Sequence, residues 1–249
     1  MTTSIEFGEE AKAIAGAIKH MCSCCKTLPF SFKNDGNVMV IAQQTDNKLA
    51  WIELEIFLNS PPVKCSSPFY VVESKILINA MRKITTLRHT LTFDFGDKEL
   101  KIEAADEVFV CPYLLEKPFL LDTSPCSGSS VIAGLLNTPT KDVENMFKDS
   151  SGVTDTVKFE ICDDRVSIAG QVIEAMTITK SVPYSMMFDS ATIASHVKNT
   201  LAPNISIQLY EDLPIKILYC LLQKLKGKKK TSLGAKQNAT MQIYISPRT

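Results

Sequence analysis

Basic residues recur at matching positions in three segments that show helical periodicity. Each segment carries two of them seven residues apart, which places both on one face of a helix. These residues are Lys12 and Lys19, Lys75 and Arg82, and Lys141 and Lys148, and a fourth segment adds Lys198. Lysine and arginine neutralise phosphate groups without reading base edges. The pattern therefore predicts a surface that holds duplex DNA of any sequence.

Apolar residues occupy the opposite face of the same segments, which predicts helices that pack on a sheet and turn their bases outward. The apolar residues are Ile14, Ala17, Ile18 and Met21, then Ile76, Leu77, Ala80 and Met81, then Val143, Met146 and Phe147. Exposed helix faces commonly carry lysine and arginine, so ordinary solvation is an alternative for any one pair. Matching positions in three segments favour a shared purpose.

Catalysis has little support in the sequence. The histidines His20, His89 and His196 have no motif that pairs them with cysteine, serine or carboxylate groups. The sequence contains neither a G-x-x-x-x-G-K-[ST] loop nor an H-E-x-x-H motif. We therefore expect a protein that is not an enzyme and that needs no catalytic residue, metal or cofactor.

The cysteines indicate a reducing compartment. Of the eight, the following stand singly among apolar residues, as reduced core thiols do: Cys65, Cys111, Cys126, Cys162 and Cys220. In the cluster "CSCC" at 22–25, Cys22 and Cys25 have the C-x₂-C spacing of common zinc sites, but no second Cys/His pair answers them at zinc-finger distance. A thiol cluster at a helix end is therefore favoured over metal or redox use. Neither a signal peptide nor a membrane-spanning run is recognisable, so we expect a soluble protein.

One order of elements, a strand, a helix and three strands, repeats four times along the 249 residues. The helices are predicted at 8–21, at 74–84 with Ser74 as N-cap, after a cap at Asn137 or Thr138 with Pro139 in the first turn, and at 190–200. The irregular stretch "EKPFLLDTSPCSGSS" divides the second round from the third. We therefore predict an α+β protein with domains at 1–115 and 130–249 and a connector at 116–129.

The overall composition is consistent with two such domains but does not identify a partner. Hydrophobic residues make up 45% of the chain, enough for a sizeable core. The formal net charge is zero, so any role with nucleic acid must come from local segregation of charge.

Several stretches, in the same order along nearly the whole chain, resemble the DNA sliding clamps of the proliferating cell nuclear antigen type. They are "NKLAWIELEI", "VESKILINAMRKI", "TPTKDVENMFKDSSG", "VKFEICDDRVSIAGQ", "DLPIKILYCL" and the ending "MQIYISPRT". The resemblance implies the clamp fold, with two similar domains of two βαβββ units each, sheets outside and helices lining a hole for DNA. It implies a DNA polymerase processivity factor, usually a homotrimer, that works in the nucleus or at a viral replication site.

The resemblance also implies a hydrophobic pocket that receives short peptides from DNA polymerase and other replication or repair proteins. Carried over by position, the pocket comprises Trp51, Leu120, Leu121, Pro214, Tyr244, Ile245, Ser246 and Pro247. A bound peptide would insert an apolar residue and two aromatic residues from one helical turn. Ordinary half-buried strand aromatics are the alternative for Trp51 and Tyr244. A clamp loader is a further implied partner.

Clamp rings close by pairing strand edges of neighbouring subunits, and the resemblance places these edges at 108–115 and 174–180. The implied contact residues are Val108, Val110, Tyr113 and Leu115 on one edge, and Met176 and Ile178 on the other. Pro112 lies inside the first edge and has no N–H to donate. A weak or unusual assembly is therefore an alternative to the homotrimer.

Two features depart from the family and suggest a divergent, viral member. Most such clamps are strongly acidic, whereas this chain is neutral. The insertion "QKLKGKKKTSLGAKQ" offers a second DNA contact through Lys226, Lys228, Lys229 and Lys230, with a flexible solvated loop or a nuclear-import signal as alternatives. Other functions left open are a clamp-fold subunit of a checkpoint or viral transcription complex, a non-ring processivity subunit that binds DNA by a basic face, and a structural protein unrelated to DNA.

Overall fold

The computed structural model describes most of the chain. These are residues 3–58, 67–86, 88–118, 131–151, 155–162, 165–168, 171–172, 177–179, 184–198, 200–211, 214–221 and 239–248. Several residues from the sequence analysis lie outside these ranges: Cys65, Leu120, Leu121, Cys126, Met176, Lys226, Lys228, Lys229 and Lys230. Most of the predicted connector at 116–129 lies outside them as well.

Four α-helices lie in the described part of the chain. They are α1 (Ala11–Cys24), α2 (Ser74–Met81), α3 (Thr140–Ser151) and α4 (Ser190–His196). The strands are β1 (Thr3–Phe7), β2 (Thr27–Lys33), β3 (Val38–Gln44), β4 (Ala50–Phe57), β5 (Tyr70–Glu73), β6 (Leu91–Phe95), β7 (Glu99–Ala104), β8 (Glu107–Pro112), β9 (Val131–Pro139), β10 (Thr156–Cys162), β11 (Arg165–Ile168), β12 (Gln171–Val172), β13 (Thr177–Ile178), β14 (Tyr184–Asp189), β15 (Asn204–Tyr210), β16 (Ile215–Cys220) and β17 (Ala239–Ile245).

The predicted element order is present four times. A strand precedes each helix, and three strands follow α1, α2 and α4, whereas four short strands follow α3. The strand pairings are mostly antiparallel, so the α+β class is confirmed. Alternation explains the strands: in β7, Leu100, Ile102 and Ala104 are buried, while Lys101 and Glu103 between them are exposed.

The chain divides into two compact units. The first comprises 1–46, 52–120 and 220–241, and the second comprises 47–51, 121–219 and 242–249. Neither unit is a single continuous stretch of chain. The last strand, β17, contributes its first three residues to the first unit and the rest to the second.

The first unit contains two strand sets and two helices. One set is a four-stranded sheet in the order β1-β6-β7-β8, and the other runs β4-β3-β2-β5. Helices α1 and α2 pack against each other, α1 also contacts β2, and α2 also contacts β5, β7 and β8. Buried phenylalanines form the core, with ring centroids 5.9 Å apart for Phe7 and Phe93 and 5.8 Å apart for Phe30 and Phe95.

The second unit also contains two strand sets and two helices. A four-stranded sheet runs β12-β11-β10-β14, and β13, β9, β15 and β16 lie side by side in that order. Helices α3 and α4 pack against each other, α3 contacts β9 and β10, and α4 contacts β14 and β10. Phe159 lies at the centre of the core, with ring centroids 6.1 Å from Phe147 and 5.5 Å from Phe188.

One pairing rule operates in both units. In the first unit, β1 precedes the first helix and pairs with β6, which follows the second helix. Likewise, β5 precedes the second helix and pairs with β2, which follows the first helix. In the second unit, β9 pairs with β15 and β14 with β10 in the same way. The two units therefore share one strand-pairing topology.

Several details of the helix prediction are wrong. Strand β9 ends with Asn137, Thr138 and Pro139, so α3 begins only at Thr140. Asn137 adopts φ 49° at an irregularity in the strand, where its N–H donates to the Ser206 hydroxyl. Ser74 is the first residue of α2 rather than its N-cap, and Glu73 precedes the helix without a side-chain cap.

Three helices also differ from the prediction in their bounds. Helix α1 spans Ala11–Cys24 rather than 8–21. Helix α2 ends at Met81 and α4 at His196, short of the predicted 84 and 200.

The prediction of core thiols is wrong for two cysteines, because Cys162 and Cys220 are exposed at the ends of their strands, whereas Cys111 is buried as expected.

Candidate nucleic-acid interface

Helix α1 separates apolar from basic residues as its sequence predicts. Ile14, Ala17 and Ile18 are completely buried, and Lys12 and Lys19 are exposed. The 3.6-residue period places the two lysines together, two turns apart. Neither lysine takes part in an ion pair with another described residue.

Helix α2 extends this layer in the first unit. Leu77 and Ala80 are completely buried, Lys75 is exposed in the first turn, and Arg82 is exposed directly after the last helical residue. Within the described part of the unit, Lys75 and Arg82 also lack an ion pair. Because α1 and α2 pack side by side, the first unit carries four cations on one helical layer that no described carboxylate neutralises.

Helix α3 differs, because acidic residues accompany its bases. Lys148 and Lys141 are both exposed, but Lys148 Nζ lies 3.0 Å from Glu144 Oε1, and Glu144 is 8% exposed. Asp142 is exposed beside Lys141. A carboxylate that already holds the Lys148 ammonium competes with a phosphate for it. We therefore expect weaker phosphate contact from the second unit than from the first.

Lys198 lies two residues beyond α4 rather than on it. Its side chain is partly exposed, and its backbone is held on both sides. The Lys198 N–H donates to the Tyr219 hydroxyl at 2.9 Å, and the Lys198 carbonyl accepts from the Leu201 N–H at 3.1 Å. No local sequence pattern indicates the Tyr219 contact, because 21 residues separate the partners.

The residues of the predicted peptide pocket are mostly buried. Trp51 and Tyr244 are each 4% exposed and Ile245 is completely buried. Pro214 and Pro247 are half-buried, and Ser246 is exposed. The ammonium of Lys216 lies 5.5 Å from the centroid of the Tyr244 ring, and the Tyr244 hydroxyl donates to Gln242.

The end of the chain is fastened within the second unit. The Ser246 N–H donates to the Leu49 carbonyl at 3.1 Å, and the Arg248 N–H donates to the Met187 carbonyl at 2.8 Å. The Arg248 guanidinium also forms an ion pair with Asp189. Pro247, which lies between these anchors, therefore has a fixed position, and no sequence signal linked the terminal arginine to Asp189.

Asp189 caps α4 as well as binding Arg248. Its carboxylate accepts from the Thr192 N–H at 2.6 Å. Burial opposes ionisation, but the hydrogen bonds from Thr192 and the Arg248 guanidinium outweigh it and lower the pKa of Asp189. A lowered folded-state pKa means that the charged carboxylate stabilises the fold above the ordinary carboxyl pKa. This stabilisation is lost as the pH falls through the lowered value.

We expect Asp189→Ala to reduce the free energy of unfolding by about 1–2 kcal/mol at pH 7, the usual cost of losing an N-cap. The difference from wild type should shrink as the pH falls below about 4, because the unfolded chain then binds a proton on Asp189 before the folded protein does. Urea unfolding at pH 7 and pH 3 measures both values. Asp155→Ala is the control, because Asp155 is exposed and its side chain makes no hydrogen bond or ion pair with other described residues. A cost at pH 7 no larger than that of the control would contradict the assigned cap.

Strand β8 is an exposed sheet edge. It is the last strand in the order β1-β6-β7-β8, and Val108 and Val110 on it are 61% and 43% exposed. Pro112 is its final residue, and Leu115 beyond it is fully exposed. Tyr113 instead contacts its own unit, with its ring centroid 4.9 Å from that of Tyr70.

The other predicted edge is only partly described. Ile178 lies in β13, which pairs with β9 through Ala133 and is the terminal strand of its set. Both predicted edges are therefore terminal strands among the described residues of their units.

Burial favours the protonated form of three thiols in and near α1, namely Cys22, Cys25 and Cys111. Burial raises the pKa of Cys22 to about 12 and that of Cys111 to about 11, and it also raises the pKa of Cys25. A nucleophilic cysteine needs a lowered pKa, since the thiolate is the reactive form. These cysteines therefore behave as buried apolar groups.

No family model matches the chain, and no curated protein matches it in sequence. In the part of the chain that the structure describes, no helix is long and apolar enough to cross a membrane.

Proposed function

We propose that this protein is a sliding clamp, a DNA polymerase processivity factor that encircles duplex DNA and binds it without sequence preference. The observation that carries the proposal is the duplicated module: each unit repeats the same strand pairing and packs two helices together. The first unit exposes four unneutralised cations on those helices. Subunits of this kind would assemble as a homotrimer in the nucleus or at a viral replication site.

The basic helices supply the DNA contact. Exposed lysine and arginine side chains bind phosphates by displacing condensed counterions, so affinity falls steeply with salt and does not depend on sequence. Flexible side chains that contact only phosphates allow the protein to move along the duplex. This chemistry fits a protein that must remain on DNA while a polymerase advances.

The end of the chain supplies the second part of the proposal, a site for polymerase and other proteins that carry short clamp-binding peptides. Ser246 and Pro247 directly follow strand β17. Hydrogen bonds from the Ser246 N–H to the Leu49 carbonyl and from the Arg248 N–H to the Met187 carbonyl hold them in a fixed position. A preorganised surface loses little entropy when a peptide binds. A clamp loader is the remaining proposed partner.

A second candidate is a processivity subunit that binds DNA by a basic face without closing a ring. It is favoured by the termination of β8 at Pro112, which shortens the edge available for pairing with another subunit. A clamp-fold subunit of a checkpoint or viral transcription complex would have a similar DNA-facing surface. Retention on DNA distinguishes a ring from a face, because only a ring is linked topologically.

We expect the protein to remain on a linear duplex whose two ends are blocked after binding, even in about 1 M salt, where charges are screened within about 3 Å. Cutting the duplex between the blocks should release it. The measurement is protein retained on DNA-coated beads, and the same duplex with one open end is the control. Release by salt from the blocked duplex, at the rate seen with the open one, would refute encirclement and favour the basic-face candidate.

A further inference from the structure

The chain after α4 has an unusual fastening. Helix α4 has only seven residues, too few to be stable without tertiary contacts. It ends without a left-handed cap, because Val197 is extended, with φ −91° and ψ 96°. The carbonyls of the last turn therefore need partners from elsewhere in the unit.

The Tyr219 hydroxyl is one such partner, and it also makes a second hydrogen bond. It donates to the His196 carbonyl at 2.7 Å and accepts from the Lys198 N–H at 2.9 Å. A tyrosine hydroxyl has one proton and acceptor lone pairs, so it can make both bonds at once. Tyr219 is completely buried on β16, and burial raises its pKa above the ordinary value, so the hydroxyl keeps its proton.

We propose that Tyr219 is a positioning residue for DNA binding: its hydroxyl bridges the His196 carbonyl and the Lys198 N–H and thereby fixes the point from which the Lys198 side chain reaches a DNA phosphate. This rests on the proposed function. The Leu201 N–H fixes the Lys198 carbonyl, so both backbone polar groups of Lys198 are held. A lysine on a fixed backbone loses less entropy when it binds than one on a loose segment.

The alternative is that Tyr219 matters only for stability. Tyr219→Phe keeps the buried ring and removes only the hydroxyl, which separates the two roles. The matched control is Tyr210→Phe, because Tyr210 is also buried in the second unit and its hydroxyl donates to Gln208, away from Lys198. Lys198→Ala reports the contribution of the lysine itself.

The experiment is a double-mutant cycle on binding to a 30-base-pair duplex of random sequence at about 0.1 M salt. We expect Lys198→Ala to weaken binding about five- to tenfold, the effect of about one phosphate contact. Tyr219→Phe should weaken it about three- to tenfold, the double variant no more than Lys198→Ala alone, and Tyr210→Phe less than twofold. Additive losses in the double variant, or wild-type binding by Tyr219→Phe, would overturn the proposal.

Amide hydrogen exchange provides a second measurement that does not depend on DNA or on the variant's folding. In the wild-type protein, the Lys198 N–H should exchange at least about tenfold more slowly than an exposed amide. Unprotected exchange there would show that the bridge does not form and would overturn the proposal. If the wild-type protein shows this protection but binds no duplex, the proposed function fails and the DNA role of Tyr219 fails with it. If it binds duplex but the cycle is additive, only the inference fails.

Discussion

Replacing Lys12, Lys19 and Lys75 together with alanine is expected to weaken duplex binding about 100-fold or more at about 0.1 M salt. Each phosphate contact contributes about 0.9 to the slope of log affinity against log salt, so the slope should fall by about 2.7. All three side chains are exposed and lack an ion pair among the described residues of their unit. The measurement is fluorescence anisotropy on a short duplex over a series of salt concentrations.

The second unit offers a matched triple variant. Alanine at Lys141, Lys148 and Lys198 removes the same number of charges, but Glu144 already holds the Lys148 ammonium at 3.0 Å. We therefore expect a smaller loss, about 30-fold, because Lys148 should add little to the effects of Lys141 and Lys198, and a smaller change in the salt slope. Equal losses from the two triple variants would contradict the expected weakening of the second unit by its acidic residues.

A general charge effect must be separated from a local one. Alanine at Lys98, Lys117 and Arg165 removes three exposed cations that lie outside the helices and form no ion pair with another described residue. This control should change binding less than threefold, because long-range attraction between exposed charges is largely screened at this salt concentration. None of the nine substitutions should shift the free energy of unfolding by more than about 0.5 kcal/mol. A control as damaging as the first triple variant would show that net charge, and not the helical layer, holds the DNA.

The helices and their apolar faces could be predicted because local periodicity determines them. Ile14 and Ile18 recur at helical spacing, and both are completely buried. The antiparallel pairing of β6 with β7 follows from alternation on either side of a short turn at Gly96. These signals come from residues that are close together in the sequence, so they can be recognised without the structure.

The helix ends could not be predicted because distant partners set them. Helix α3 begins at Thr140, whose hydroxyl donates to the Ala202 carbonyl 62 residues away. Helix α4 stops at His196, where the Tyr219 hydroxyl takes the last carbonyl. Pro203 is the first local stop signal after His196, and no residue near His196 in the sequence marks the contact with Tyr219.

The electrostatics of the candidate site could be predicted only in part. Exposure of the helical lysines follows from amphipathicity, but their neutralisation depends on neighbours. The pair of Glu144 and Lys148 has the i, i+4 spacing that favours a helical ion pair, so this correction to the basic stripe was available in the sequence. The ion pair between Asp189 and Arg248 joins residues that are 59 apart in the sequence, so it could not be predicted from local spacing.

Under the proposed function, assembly would distinguish a ring from an open DNA-binding face, and strand β8 is where we expect assembly to occur. Terminal strands present unpaired backbone groups, and natural proteins usually protect them with charges or coverage. Here Val108 and Val110 are instead apolar and exposed. Pairing this edge with the terminal strand β13 of another copy would be head-to-tail, and repetition of such a contact closes a ring when the rotation between neighbouring copies divides a full turn.

We expect the wild-type protein to sediment as three copies of the 27.5 kDa chain, about 82 kDa, at micromolar concentration. Val108→Lys combined with Val110→Lys should shift it to a single copy, because edge lysines repel and block strand addition. Phe57→Lys combined with Met187→Lys is the control, since it changes two equally exposed apolar residues away from β8 and should leave the trimer intact. The single-copy variant should also lose retention on end-blocked duplex in high salt while still binding DNA in low salt, because a face remains when a ring does not close. Sedimentation of the wild type as a single copy at every concentration would rule out the ring and leave the basic helices as an open DNA-binding face.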